Sequence, residues 1–167
     1  MSNKFYQLTN FPPLPQEIIT DGLTEPYEFT VSPYTLSRRA ELLYLTDFYK
    51  VLTNQFGKVE CKYLRNTANS YYDWHVDKNR QSALNWIIKT NPGASTFFRS
   101  NNQSKFFWDL EEVIYSIEYP TLLNTKQEHC IVNNYAEERT ILSVSILNDH
   151  SYKTVLEFLQ TIKIDQY

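Results

Sequence analysis

The sequence predicts a mainly β protein with flanking helices, built as two sheets packed face to face in a jelly roll. Three observations carry this. Between residues 58 and 147 the chain breaks into about seven or eight short strand-like runs, separated by brief turns rich in Asn, Asp and Gly. Helical periodicity is confined to the segments before and after those runs. The composition is aromatic, with 13 Tyr and 10 Phe, which favours pleated structure and a packed interior.

The 167 residues suit a single domain, 1–167, with a sizeable core. Within it, 1–57 is expected to be a helical and irregular cover, 58–147 the jelly-roll core and 148–167 a C-terminal helix. Phe11-Pro12-Pro13-Leu14-Pro15 cannot be helix interior, because its prolines lack amide donors and fix φ. A short helix is expected from Pro15 through Ile18 and Ile19 to Asp21-Gly22. Glu25 to Pro33 is a polar connection or an edge strand. From Ser37 to Asn54 the apolar residues Leu42, Leu45, Phe48, Tyr49 and Leu52 recur at helical spacing. This predicts one long helix, stopped near Gly57 and covering a sheet.

After Gly57 the period changes. Val59, Cys61 and Tyr63 alternate with Lys58, Glu60 and Lys62, the pattern of a half-buried strand. Residues 66–70 turn, and 71–77 form the next strand. Ser82 to Thr90 is a strand buried on both faces. Ser95 to Arg99 is a short strand, and Arg99 to Lys105 a polar loop. Phe106 to Tyr119 is strand-prone, broken near Asp109 to Glu112. His129 to Asn133 and Arg139 to Leu147 are strands. Asp149 or Ser151 caps a last helix, Tyr152 to Ile162. Trp74 and Trp86 are expected to pack outward under helices, and His150 to lie at the surface.

Net charge is -3, which provides no electrostatic footprint for nucleic acid. No run approaches the ~20 apolar residues of a membrane span, and no signal peptide is visible. Cys61 and Cys130 sit in apolar runs without metal or redox spacing, as buried thiols of a reducing compartment would. The expected location is the cytoplasm.

The chemistry gathers in Tyr71-Tyr72-Asp73-Trp74-His75-Val76-Asp77. In an extended strand alternate side chains share a face, so Asp73, His75 and Asp77 are expected together, with Trp74 and Val76 opposite. His129 opens a later strand. Ten residues on, Arg139 opens Arg139-Thr140-Ile141-Leu142-Ser143-Val144-Ser145-Ile146. Alternation puts Arg139, Ile141, Ser143 and Ser145 on one face. A charge and two hydroxyls on a central strand should line a pocket, because burying them against apolar neighbours alone is costly. Two His and one carboxylate form the ligand set of a facial triad for non-haem Fe(II). A guanidinium at Arg139 can hold the far carboxylate of a dicarboxylic keto acid.

His75-Val76-Asp77, His129 and Arg139 together resemble the signature of the Fe(II)/2-oxoglutarate-dependent dioxygenases. The flanking Trp74 and the run Leu123-Asn124 are similar to small members related to prolyl and aspartyl/asparaginyl hydroxylases, phage-borne ones included. The resemblance covers Cys61 to Ile146. It implies a double-stranded β-helix, Fe(II) on His75, Asp77 and His129, and 2-oxoglutarate anchored by Arg139. It also implies O2 as co-substrate and hydroxylation of a C–H bond, in an amino acid, a peptide or a small molecule. Many relatives have Ser two residues after the Arg, where this chain has Ile141. Ser143, Ser145 or a Tyr from another strand must then assist Arg139. Asn85 is a candidate for touching 2-oxoglutarate or substrate, or else a buried amide satisfying backbone. Tyr63 and Tyr72 are candidates to flank the site and Arg80 to reach its mouth, but the expectation is the core for the two tyrosines and a charged turn for Arg80. Two other readings stay open: a cupin-type metal enzyme that does not use 2-oxoglutarate, and a non-catalytic β-sandwich for binding or assembly.

Overall fold

The computed structural model describes residues 4–101 and 108–163. The chain is mainly β, and its two antiparallel sheets face each other. The larger sheet holds β1 (Phe5–Gln7), β2 (Phe29–Ser32), β3 (Thr35–Arg39), β4 (Val59–Asn66), β6 (Ser82–Lys89), β9 (Thr121–Asn124) and β11 (Arg139–Ile146) in the order β1-β9-β6-β11-β4-β3-β2. The smaller holds β5 (Ser70–His75), β7 (Ala94–Asn101), β8 (Trp108–Glu112) and β10 (His129–Asn133) in the order β5-β10-β7-β8. The helices are α1 (Gln16–Leu23), α2 (Glu41–Tyr44), α3 (Asp47–Phe56) and α4 (Tyr152–Thr161).

The larger sheet has two different faces. Cys61, Tyr63, Leu84, Trp86, Leu142, Val144 and Ile146 point one way, into a core shared with Ile18, Leu52, Phe56, Val155 and Leu159 of the helices. Trp86 lies under this layer, edge-on to Phe48 at 5.9 Å, as expected. The alternate residues of the same strands, among them Asn85, Ile141, Ser143 and Ser145, face the smaller sheet. Strand β11 is buried along its whole length, with β4 on one side and β6 on the other. It is therefore the central strand, and its polar positions look into the space between the sheets. Cys61 and Cys130 are buried and free, and burial pushes their thiols up to about 12 and about 11.

The core strands and α1 and α4 lie close to where the sequence puts them. The N-terminal segment does not. The long helix expected from Ser37 is instead strand β3, the single turn α2 and a fresh helix, α3. Thr46 causes the restart: its hydroxyl accepts the Tyr49 amide at 3.2 Å and caps α3. Leu45 is consequently 76 % exposed, while Leu43, off the predicted stripe, is fully buried. Strands β1 and β2 also extend the larger sheet, so residues before 58 build the sheet as well as cover it. Strand β8 runs where a break at Asp109 to Glu112 was expected; an edge strand can carry acidic residues toward solvent. Strand β7 runs on to Asn101, through the first residues of the predicted polar loop; residues 102–107, the rest of that loop and the start of the Phe106 to Tyr119 run, lie outside the described residues.

Candidate metal centre

Strand β5 is the edge of the smaller sheet, paired only with β10. The register sets His129 directly opposite His75, then Ile131 opposite Tyr72. Two residues of β5, Asp73 and Trp74, thus oppose one of β10, Cys130, which makes a bulge. This corrects the strict alternation expected for the strand. The Asp73 carboxylate accepts the Trp74 amide at 2.7 Å and the Tyr71 hydroxyl at 2.9 Å, and it is exposed. Tyr72 and His75 share the inner face, their rings 4.1 Å apart. Trp74 faces outward beneath the Arg99 guanidinium at 4.7 Å, not under a helix.

The imidazoles of His75 and His129 lie 4.2 Å apart, centroid to centroid. Asp77 follows the strand end, where its amide donates to the Thr125 carbonyl at 2.9 Å. One nitrogen from each imidazole and one Asp77 oxygen all fall within 4.8 Å of one another. The structure therefore brings together all three residues proposed as ligands.

Two details suit this set to a cation. The His75 Nδ1 lies 2.6 Å from the Asp73 carbonyl, and the His129 Nδ1 lies 2.9 Å from the Gln127 carbonyl. A carbonyl oxygen only accepts, so each Nδ1 must carry the proton. In the neutral ring each Nε2 then keeps its lone pair, the atom a metal needs. Burial also pushes His129 down to about 4, with the nearby His75 and Arg80 acting the same way. The ring is then neutral near pH 7, which is the ligating form.

Arg139 is 1 % exposed. Its Nη1 donates to Thr96 Oγ1 at 3.3 Å, and its guanidinium lies over the Tyr115 ring at 4.7 Å. Tyr115 also donates to Thr96 Oγ1, at 3.2 Å. Among the described residues the Nε and Nη2 of Arg139 have no hydrogen-bond partner. A buried cation left this way is costly unless an anion meets it. A carboxylate is the complement of two free N–H groups on a guanidinium.

A cavity of about 80 Å³ lies between the sheets, lined by Tyr72, His75, Asp77, Arg80, His129 and Ile141 among others. Arg80 is the residue that sequence reasoning underrated. Its Nε donates to Asp77 Oδ2, and its Nη1 donates to Ser145 Oγ at 2.7 Å and reaches Ser143 Oγ at 3.5 Å. The two serines thus face the site but are turned toward Arg80. Thr96 and Tyr115, not singled out in the sequence, are the hydroxyls beside Arg139. Asn85 is buried opposite Ser143 and Thr121, with its Oδ1 unpartnered. Tyr72 flanks the site. Tyr63 is core, its hydroxyl donating to the Ile18 carbonyl at 2.9 Å. His150 packs against Phe56 at 5.1 Å, more enclosed than a surface residue.

Solved structures show the same arrangement of sheets. The chain superposes on a Trichoplax adhaerens prolyl hydroxylase, in complex with a hypoxia inducible factor oxygen degradation domain peptide, with a TM-score of 0.59 at 12 % identity, covering 93 % of this chain and 87 % of that one. HygX from Streptomyces hygroscopicus, with nickel, 2-oxoglutarate and hygromycin B bound, gives 0.58 at 13 %, covering 89 % and 85 %. An oxidoreductase of the 2OG-Fe(II) oxygenase family from Burkholderia pseudomallei gives 0.56 at 13 %, covering 83 % and 81 %. This chain has the double-stranded β-helix, or jelly-roll, fold that these solved oxygenases share. The resemblance noted in the sequence holds at the level of fold. No family model and no curated protein matches the chain. No helix among the described residues is long and apolar enough to cross a membrane.

Proposed function

We propose that this protein is an Fe(II)- and 2-oxoglutarate-dependent oxygenase that hydroxylates a C–H bond of an amino-acid or peptidyl substrate. The observation that carries the reading is the meeting, between the two sheets, of His75, Asp77 and His129; a buried Arg139, with two N–H groups unpartnered among the described residues, supports it. When bound, iron supplies the oxidation of a C–H bond by O2, coupled to conversion of 2-oxoglutarate to succinate and CO2.

The chain's own residues hold and orient. His75 and His129 present Nε2 because their Nδ1 protons are tied to carbonyls of their own strands, so neither ring can turn without breaking a hydrogen bond. Asp77 supplies the anionic ligand through one oxygen, while Arg80 neutralises the other. Arg139 takes the distal carboxylate of 2-oxoglutarate, with Thr96 and Tyr115 fixing the guanidinium. Asn85, Ser143 and Ser145 supply further polar contacts along the same inner face. Tyr72, Ile131 and Ile141 wall the cavity and limit water.

The test is a thermal shift with Mn(II), alone and with 2-oxoglutarate, followed by a succinate assay with Fe(II). A ligand that binds only the native state raises apparent stability. Stepwise stabilisation by metal and then by 2-oxoglutarate is expected, and Asp77→Ala should lose both steps and succinate formation. A metal response without a 2-oxoglutarate response would favour the cupin-type enzyme. No response to either would leave the non-catalytic sandwich.

A further inference from the structure

Beyond Arg80 the space between the sheets opens into a trough. Its first part, about 250 Å³, shares Asp77 and Arg80 with the metal cavity and runs past Ser143 and Ser145. Its second part, about 580 Å³, continues over the polar face of β4. Along that face the lining changes from Asn66 and Leu64 at the cavity to Lys62, Glu60 and then Lys58 in the open trough.

The charge of the trough is opposite in sign to that of the whole chain. Lys58, Lys62, Lys78, Arg80 and Lys126 line it, against Glu60, Asp77 and Asp149. Lys62 engages Glu60 at 2.9 Å, and Asp77 belongs to the metal site. Lys126 is fixed at the junction, its Nζ donating to the carbonyls of Asp77 at 2.8 Å and Lys78 at 3.2 Å. Lys58 and Lys78 are exposed and, among the described residues, form no ion pair with an acidic side chain. A protein of net charge -3 thus concentrates positive potential in one concave surface leading to its candidate centre. A cleft with an excess of one sign of charge gathers ligands of the other sign.

We propose that this trough seats an acidic stretch of a peptide or protein substrate. Whether the seated peptide is also oxidised rests on the function proposed above. Two features of the trough favour a peptide. Among the described residues no aromatic side chain lines either part, and Tyr44 and Tyr49 of the recess beyond Lys58 pack edge to face on each other at 4.6 Å, so the two parts lack the stacking platform that single-stranded nucleic acid uses. The length and volume exceed what a free amino acid needs, and the lysines are spread along it.

Fluorescence anisotropy tests the proposal with the full chain and three labelled probes: a short peptide of glutamate and aspartate, a lysine peptide, and an oligothymidylate of matched length. The acidic peptide should bind, more weakly as salt rises. The double variant Lys58→Glu with Lys78→Glu, whose fold is checked by thermal unfolding, should weaken that binding by about tenfold or more. The idea is overturned if the lysine peptide or the oligothymidylate binds as tightly as the acidic peptide, or if the double variant binds like the parent. Free glutamate as competitor separates the two sources of carboxylate: millimolar displacement by the free amino acid would also overturn the peptide reading. None of these titrations needs metal or 2-oxoglutarate, so their failure is distinguishable from failure of the oxygenase reading.

Discussion

Among the described residues Arg139 has one hydrogen bond, and it is 1 % exposed, an arrangement that the fold alone gives little reason to keep. A methionine of similar length would remove a buried charge at small cost in packing, and such exchanges are often neutral or stabilising. Arg139→Met should therefore leave the ligand-free melting temperature unchanged or raised. The same change should weaken 2-oxoglutarate binding by roughly a hundredfold, since it deletes charge-assisted bonds worth about 1.5–3 kcal/mol each. The Mn(II) response should survive. A variant that melts earlier and still responds to 2-oxoglutarate would assign Arg139 to structure. At this scale the sequence was informative wherever chemistry and spacing act together, as in His75, Asp77, His129 and Arg139. Arg80 was weighed for the site mouth and ranked second, because an arginine three residues after an aspartate is an ordinary feature of a charged turn. Thr96 and Tyr115 escaped because a hydroxyl has no positional signature until the sheets face each other.

Elements near the site are joined by buried amides as well as by strand pairing. Asn133 ends β10, four residues from His129, and is fully buried. Its Nδ2 donates to the carbonyls of Thr67 at 2.8 Å and Glu137 at 2.9 Å, and its Oδ1 accepts from Asn91 at 3.1 Å. One side chain thus ties β10 to the β4–β5 turn and to the loop before β11. Asn133→Ala would orphan these groups, and about 2–4 kcal/mol of stability should go with them. A urea midpoint shift at unchanged slope is the readout, and a loss under about 1 kcal/mol would show that water replaces the network. The elements most legible in the sequence were β4 and β11, which alternate cleanly, β6, which is a mostly apolar run, and α4, whose start a capping residue marks. Strand β3 was not legible because its buried positions are Thr35 and Ser37, so no apolar alternation marks it. The bulge in β5 was hidden for a related reason: alternation predicts a face only while the pairing stays in step.

Across the whole molecule, the double-sheet architecture followed from strand count and turn spacing, and the site from motif spacing within it. The basic trough did not, because Lys58, Lys62, Lys78 and Lys126 are scattered through a chain of negative net charge and only the fold collects them. The placing of the centre has an effect of its own. Strand β5 is a sheet edge, held on one side by β10 alone, and edges are where sheets fray. An ion shared by His75 and His129 would act as a rivet through that edge, joining the outermost strand to its neighbour by coordination as well as by the ladder. Amide hydrogen exchange at residues 71–75 should slow by about tenfold or more when Mn(II) is added, while exchange in β6, far from the edge, should stay as it was. If the two regions respond alike, the rivet is absent and the outer strand is secured by pairing alone.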